Sequence, residues 1–165
     1  MYMFKKENDL VKDPILQMRV NFKKKFTNLE IDLGNLFFEM SEVLPSNIIN
    51  LSNYYLFFVP NELYFEAKNH LKKLKRMIKN KKVVLVRDTP SLQNLLMSFF
   101  PDVYIHDLNV ENSENEDKIT IIIVVLTSEE LAIAIGENGS YIKLVNKVLQ
   151  KYIKSIEVKC ELKSI

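Results

Sequence analysis

Only three glycines occur in the 165 residues, and two of them, Gly136 and Gly139, stand three apart between two segments of helical pattern. Average usage is about 7%, so a chain this sparing of glycine spends one where the backbone requires it. A glycine can end a helix in a left-handed conformation, and a second one can close the turn. Neither carries a Cβ, so the pair also leaves room for another backbone to come close.

The segments around this pair carry clear patterns. Ser91 to Phe100 reads as a helix, capped by Thr89 or Ser91 and closed by Pro101. Val103 to Val110 alternates as a strand, and the polar, acidic Glu111 to Lys118 reads as a hairpin loop. Ile119 to Leu126 is an almost continuous β-branched run suited to a buried strand. Thr127-Ser128-Glu129-Glu130 offers an N-cap with acids in the first turn, leading into Leu131 to Ile135. Beyond the glycines, Ile142, Val145, Leu149 and Ile153 share one helical face, and Ile156, Val158, Cys160 and Leu162 alternate as a last strand. The order predicted for residues 89–165 is α-β-β-α-loop-α-β.

The first half is less regular. Residues 1–17 read as a loosely ordered lead-in. Arg19 to Phe26, Thr27 to Leu33 and, after a turn at Gly34-Asn35, Leu36 to Met40 suggest a β-meander. Tyr54 to Val59 and Val83 to Val86 add short strands, so residues 18–88 are expected to form a small barrel. One segment resists: Leu63, Ala67, Leu71, Leu74 and Ile78 recur at helical steps, and on pattern alone Glu62 to Asn80 is a helix.

Charge divides at Pro90. Residues 1–90 hold 16 basic and 10 acidic side chains, residues 91–165 hold 7 and 11, and Lys68 to Arg87 contains nine basic residues and no acid. Such a run is either a solvated face or a surface for polyanions. Lys72, Lys73, Lys75 and Arg76 are its centre, suited to phosphate contacts that are salt-dependent and indifferent to sequence. Phe22, Phe26, Tyr54 and Tyr55 would stack bases if exposed, although such aromatics are more often core.

Within its frame, Gly136-Glu137-Asn138-Gly139 resembles the GxxG loop of KH-type RNA-binding domains. The resemblance implies that phosphates meet amide groups at the start of the following helix. RNA-binding residues would then be Gly136, Glu137, Asn138, Gly139, Ser140 and Tyr141, with Lys143 and Lys147 beyond them and Ile135, Ile142 and Ile123 lining a groove for bases. Glu137 opposes this, because a carboxylate repels phosphate.

Four further pieces, in order, are similar to the bacterial transcription elongation and termination factor NusA: Asn28 to Gly34, Ser41 to Pro45, Val83 to Pro90, and Leu131 to Ile142. The resemblance spans roughly residues 18–162. It implies an α+β chain, with an OB-like barrel over 18–88 followed by one KH domain over 89–165. It also implies a barrel strand at 67–78, against the periodicity, and a truncated member of the family without room for a second KH module. The function implied is a non-catalytic RNA-binding accessory factor of transcription, with single-stranded RNA and RNA polymerase or another large ribonucleoprotein assembly as partners. The alternative is a structural subunit of a polymerase or ribosome whose degenerate KH fold packs on protein.

Other classes find little support. His70 and His106 have no base, nucleophile or acid at a recognisable spacing, so no enzyme and no cofactor are expected. One cysteine and two histidines give no zinc pattern. No apolar run reaches the roughly 18 residues of a membrane span, and Met1 to Lys6 lacks a signal-peptide core. The expectation is a reducing compartment, the cytoplasm or an organelle stroma or matrix such as that of a plastid, the last because the Lys-, Asn- and Ile-rich composition suits AT-rich coding.

Overall fold

Thr27 opens the first helix of the chain with a capping box. Its hydroxyl accepts a hydrogen bond from the Glu30 amide at 3.3 Å, and Glu30 Oε2 accepts one from the Thr27 amide at 3.1 Å. The helix α1 (Asn28–Ser41) follows, burying Leu33, Phe37 and Ser41. This is seen in a computed structural model that describes residues 14–21 and 25–165. The predicted meander over 27–40 is therefore a helix. Gly34 does not break it, because a glycine on the packed side lets α1 lie against the sheet, where an added Cβ would come within 3.1 Å of Ile48 Cδ1.

Strand β1 (Asn47–Leu51) turns through Ser52-Asn53 into β2 (Tyr54–Pro60), and β3 (Lys82–Asp88) pairs with β2 in parallel. Pro60 ends β2, a 3-10 turn follows at Asn61–Leu63, and two short helices, α2 (Tyr64–Lys68) and α3 (Leu71–Met77), return the chain to β3. Periodicity thus prevails over analogy at 67–78, though as two short helices, with Ala67 of α2, Leu74 of α3 and Ile78 just after it buried. Among the described residues this half holds an open three-stranded sheet in the order β1-β2-β3, in place of the expected OB-like barrel. Phe37 stacks on Phe57 at 5.1 Å between centroids beneath the helices, and Phe58 meets Phe99 edge-on at 6.1 Å on the other face. Both faces being covered, β2 is buried along almost its whole length.

Helix α4 (Leu92–Phe99) follows, its residues 94–99 grouped with the first sheet, and the chain continues through β4 (Asp107–Asn112), β5 (Ile119–Val125), α5 (Ser128–Ile135), α6 (Ser140–Gln150) and β6 (Ile156–Leu162). Strand β4 starts four residues later than its pattern suggested. Thr89 is not the cap of α4, because its hydroxyl is buried without a hydrogen-bond partner. Thr127 does cap α5, accepting from the Glu130 amide at 3.2 Å. The lead-in reading over 1–17 is corrected at its end, residues 1–13 lying outside the described residues. Pro14–Gln17 forms a 3-10 turn that buries Leu16, and the Met18 carbonyl accepts the Leu92 amide at 2.8 Å.

The chain divides into two compact units, one mainly of residues 21–90 and the other mainly of residues 100–165. Their topologies coincide. In chain order a helix precedes each antiparallel strand pair, two helices follow it, and the last strand lies parallel to the middle one, although residues 94–99 of the second leading helix group with the first unit. Both parallel ladders run for seven residues in the same register, first residue with first: Tyr54 opposite Lys82, and Ile119 opposite Ile156. A second unit of the same element order therefore occupies the stretch that sequence reading gave to a barrel. The units differ between their second and third strands, where residues 61–81 do what residues 126–155 do in the other, so the first connection is nine residues shorter.

Candidate nucleic-acid interface

Helix α5 ends at Gly136, whose amide donates to the Ala132 carbonyl at 2.9 Å and whose φ of 77° and ψ of 171° suit glycine alone. Asn138 and Gly139 take left-handed angles, the Gly139 amide closes the turn onto the Gly136 carbonyl at 3.1 Å, and Ser140 starts α6. A Cβ on Gly136 would lie 2.7 Å from Tyr141 Cβ and 2.9 Å from the Tyr141 nitrogen, whereas one on Gly139 would meet nothing closer than Lys143 Cε at 3.7 Å. Gly136 is thus required by the turn itself. Gly139 leaves an open surface at the N-cap of an eleven-residue helix, where an anion finds amide donors and a favourable dipole.

Charge at the loop is more balanced than the sequence suggested. Glu137 and Asn138 are exposed, and Lys143 reaches back to donate to the Asn138 carbonyl at 3.4 Å, adding a cation beside the turn. Lys147 lies exposed one turn further along α6. Tyr141 is half-buried, edge-on to Phe100 at 5.6 Å, which makes it a support of the loop. Of the groove residues, Ile135 and Ile142 are half-buried, but Ile123 sits fully buried in the central strand and is out of reach. Along edge strand β6, on the face of buried Ile156 and Val158, Cys160 is half-buried and Leu162 exposed. Burial pushes the Cys160 thiol up to about 11.

Two amides of α6 hold that strand. Asn146 Nδ2 donates to the Val158 carbonyl at 2.9 Å and its Oδ1 accepts the Val158 amide at 2.7 Å, while Gln150 Nε2 donates to the Ile156 carbonyl at 3.0 Å. The outward backbone groups of an edge strand are thereby satisfied by the helix that carries the loop. No sequence pattern signals this, since mid-helix Asn and Gln read as solvent-facing.

The basic residues lie in the other unit. Lys72, Lys73, Lys75 and Arg76 all project from α3 and are exposed, and among the described residues none of them lies within 4.0 Å of a carboxylate. The α2–α3 turn, Asn69-His70, has no glycine and no positive φ. Phe26 is exposed, Tyr54 and Tyr55 are core, and Phe22 falls outside the described residues. His70 and His106 are half-buried, the latter's amide donating to the Val124 carbonyl at 2.8 Å. Among the described residues no group of three or more His, Cys, Asp or Glu is placed to hold a metal ion, and no helix is long and apolar enough to cross a membrane.

The sequence matches no protein-family model and no curated protein. Among solved structures the chain is similar to "Crystal structure of APE1850", with a TM-score of 0.60 and 22% identity, covering 82% of this chain and all of that one. At that identity the likeness concerns the fold alone.

Proposed function

We propose that this protein is a non-catalytic, NusA-like RNA-binding accessory factor of transcription. In this reading residues 89–165 act as a KH-type module, clamping the backbone of single-stranded RNA at Gly136–Gly139. The α3 surface of the first unit adds phosphate contacts. RNA polymerase or another large ribonucleoprotein assembly is the protein partner. The observation that carries the reading is the turn itself: Gly136 tolerates no Cβ, and Gly139, which does, is left bare at the start of α6. The uncompensated cations of α3 support it.

Fluorescence polarisation with a labelled single-stranded RNA tests the loop. Gly139→Asp has room to fold, at the small left-handed backbone cost of about 1 kcal/mol or below, and places a carboxylate where phosphate would sit, so affinity should fall at least about tenfold while the protein stays folded. Glu137→Lys should raise it. A folded Gly139→Asp protein that binds like wild type refutes the clamp.

A second reading, a structural subunit whose KH-type unit packs on protein, is favoured by exposed Glu137 and by the 11 acids against 7 bases of residues 91–165. It requires that Gly139→Asp abolish co-purification with the assembly while RNA affinity stays the same.

A further inference from the structure

We propose that Phe65 and Arg87 form a nucleobase-stacking site in the first unit, a specific deepening that rests on the RNA-binding reading. The parallel register sets it up. Val59 pairs with Arg87 and Pro60 with Asp88, so where β2 ends and the chain turns into α2, the end of β3 lies alongside. The Arg87 guanidinium carbon is 4.2 Å from the centroid of the Tyr64 ring and 5.0 Å from that of Phe65, and Nη1 reaches Asn61 Oδ1 at 3.5 Å. The two rings meet at 76°, with Tyr64 4% exposed as the floor and Phe65 68% exposed as a wall.

Two features make this a site for a ligand instead of a fragment of core. Tyr64 and Ala67 supply the buried face of this helix, while Phe65, in edge contact with Tyr64 and under Arg87, presents most of an aromatic ring to water. Arg87 has no carboxylate partner within 4.0 Å among the described residues, although Asp88 follows it and Glu62 and Glu66 flank the aromatic pair in sequence. A flat π-system carried on an anionic chain satisfies both: the base stacks on Phe65 and the guanidinium, and the phosphates meet Arg87 and the cations of α2 and α3. Charge complementarity selects RNA over an apolar protein segment, because Lys68 to Arg87 holds nine basic residues and no acid. The shortened α2–α3 connection gives the first unit no glycine turn to grip a backbone, so a side-chain stack takes its place.

The test uses the full chain, which has no tryptophan of its own. Phe65→Trp should be quenched on titration with an oligoadenylate, and an abasic oligomer of equal length and charge should leave the emission unchanged. Phe65→Ala should weaken oligoadenylate binding about tenfold, the equivalent of 1.4 kcal/mol, with an unchanged salt dependence and urea midpoint. If Phe65→Ala binds like wild type while Gly139→Asp does not, stacking at Phe65 is overturned and the loop clamp stands. Equal quenching by the abasic oligomer overturns it too, and quenching by a co-purifying protein alone assigns the patch to protein. Absence of any RNA binding by the wild-type chain overturns both readings.

Discussion

Replacing Gly136 by alanine should destabilise the protein far more than the same change at Gly139, although both glycines have positive φ. At Gly136 the φ/ψ pair of 77° and 171° lies in a region closed to L-residues, where occupancy costs on the order of 1–3 kcal/mol. The new Cβ would also sit 2.7 Å from Tyr141 Cβ and 2.9 Å from the Tyr141 nitrogen, well inside van der Waals contact. Both atoms belong to the rigid first turn of α6, so the loop must shift, at about 1–3 kcal/mol. The unfolded chain loses entropy on Gly→Ala, which returns about 0.4–1 kcal/mol. At mid-range the net loss is about 3 kcal/mol. Gly139, at φ 71° and ψ 16°, pays the left-handed cost of about 1–2 kcal/mol without a clash, less the same entropic return, and so about 1 kcal/mol or below. Urea unfolding followed by circular dichroism gives both values. A Gly139→Ala protein as destabilised as Gly136→Ala, or more so, would refute the loop geometry from which the clamp is argued.

Asn146→Ala removes both partners of the Val158 backbone and should cost about 2–3 kcal/mol in urea unfolding, whereas Asn146→Asp, which keeps the acceptor for the Val158 amide, should cost less. Converting Lys72, Lys73 and Arg76 to Gln should lower the slope of log affinity for single-stranded RNA against log salt by about two, with stability unchanged because all three are exposed; an unaltered slope would remove α3 from the interface. With its thiol held up to about 11, Cys160 should be alkylated by iodoacetamide roughly a hundredfold more slowly at neutral to mildly basic pH in the folded protein than in urea. The sign follows from burial favouring the protonated form: its stabilisation is complete below the ordinary thiol range and is lost as pH rises through about 11. Equal rates in both states would place Cys160 in open solvent.

Much of the second unit was legible because single-residue chemistry and periodicity agree there. The β-branched run at Ile119, the Thr127 cap and the apolar face of α6 each specify one structure. In the first unit they conflict. Gly34 reads as a breaker in a segment whose Leu33, Phe37 and Met40 are spaced for a helix, and its reason for being glycine, contact with Ile48, belongs to tertiary structure. Thr27 and Glu30 carried a second local signal for α1, a capping box. The internal repetition of topology was hidden for a different reason: strand order and register can coincide while the residues filling them differ, and a connection nine residues shorter removes the glycine pair that would mark the match. The loop was visible in sequence. The return of Lys143 to it, the hold of Asn146 on β6 and the meeting of Phe65 with Arg87 all depend on pairings between separate elements.

Helix α6 binds these features into one mechanical unit. Its first turn carries Gly139 and forbids a Cβ on Gly136, its middle residues satisfy the outward backbone of β6, and Leu144, Val145, Val148 and Leu149 anchor it in the core. A rotation of α6 that opened the loop would therefore break the Val158 and Ile156 hydrogen bonds together, leaving polar groups of an edge strand unpaired at about 1–3 kcal/mol each. The glycine turn is thus held rigid by a network that never touches a ligand, and a rigid turn loses little entropy when a backbone docks on it. In the first unit α3 has only seven residues and the turn before it has no glycine, so under the proposed function that half would contribute through its exposed lysines. Under the proposed function, one preorganised contact and one electrostatic surface would give RNA binding whose orientation is set by the first and whose salt dependence by the second.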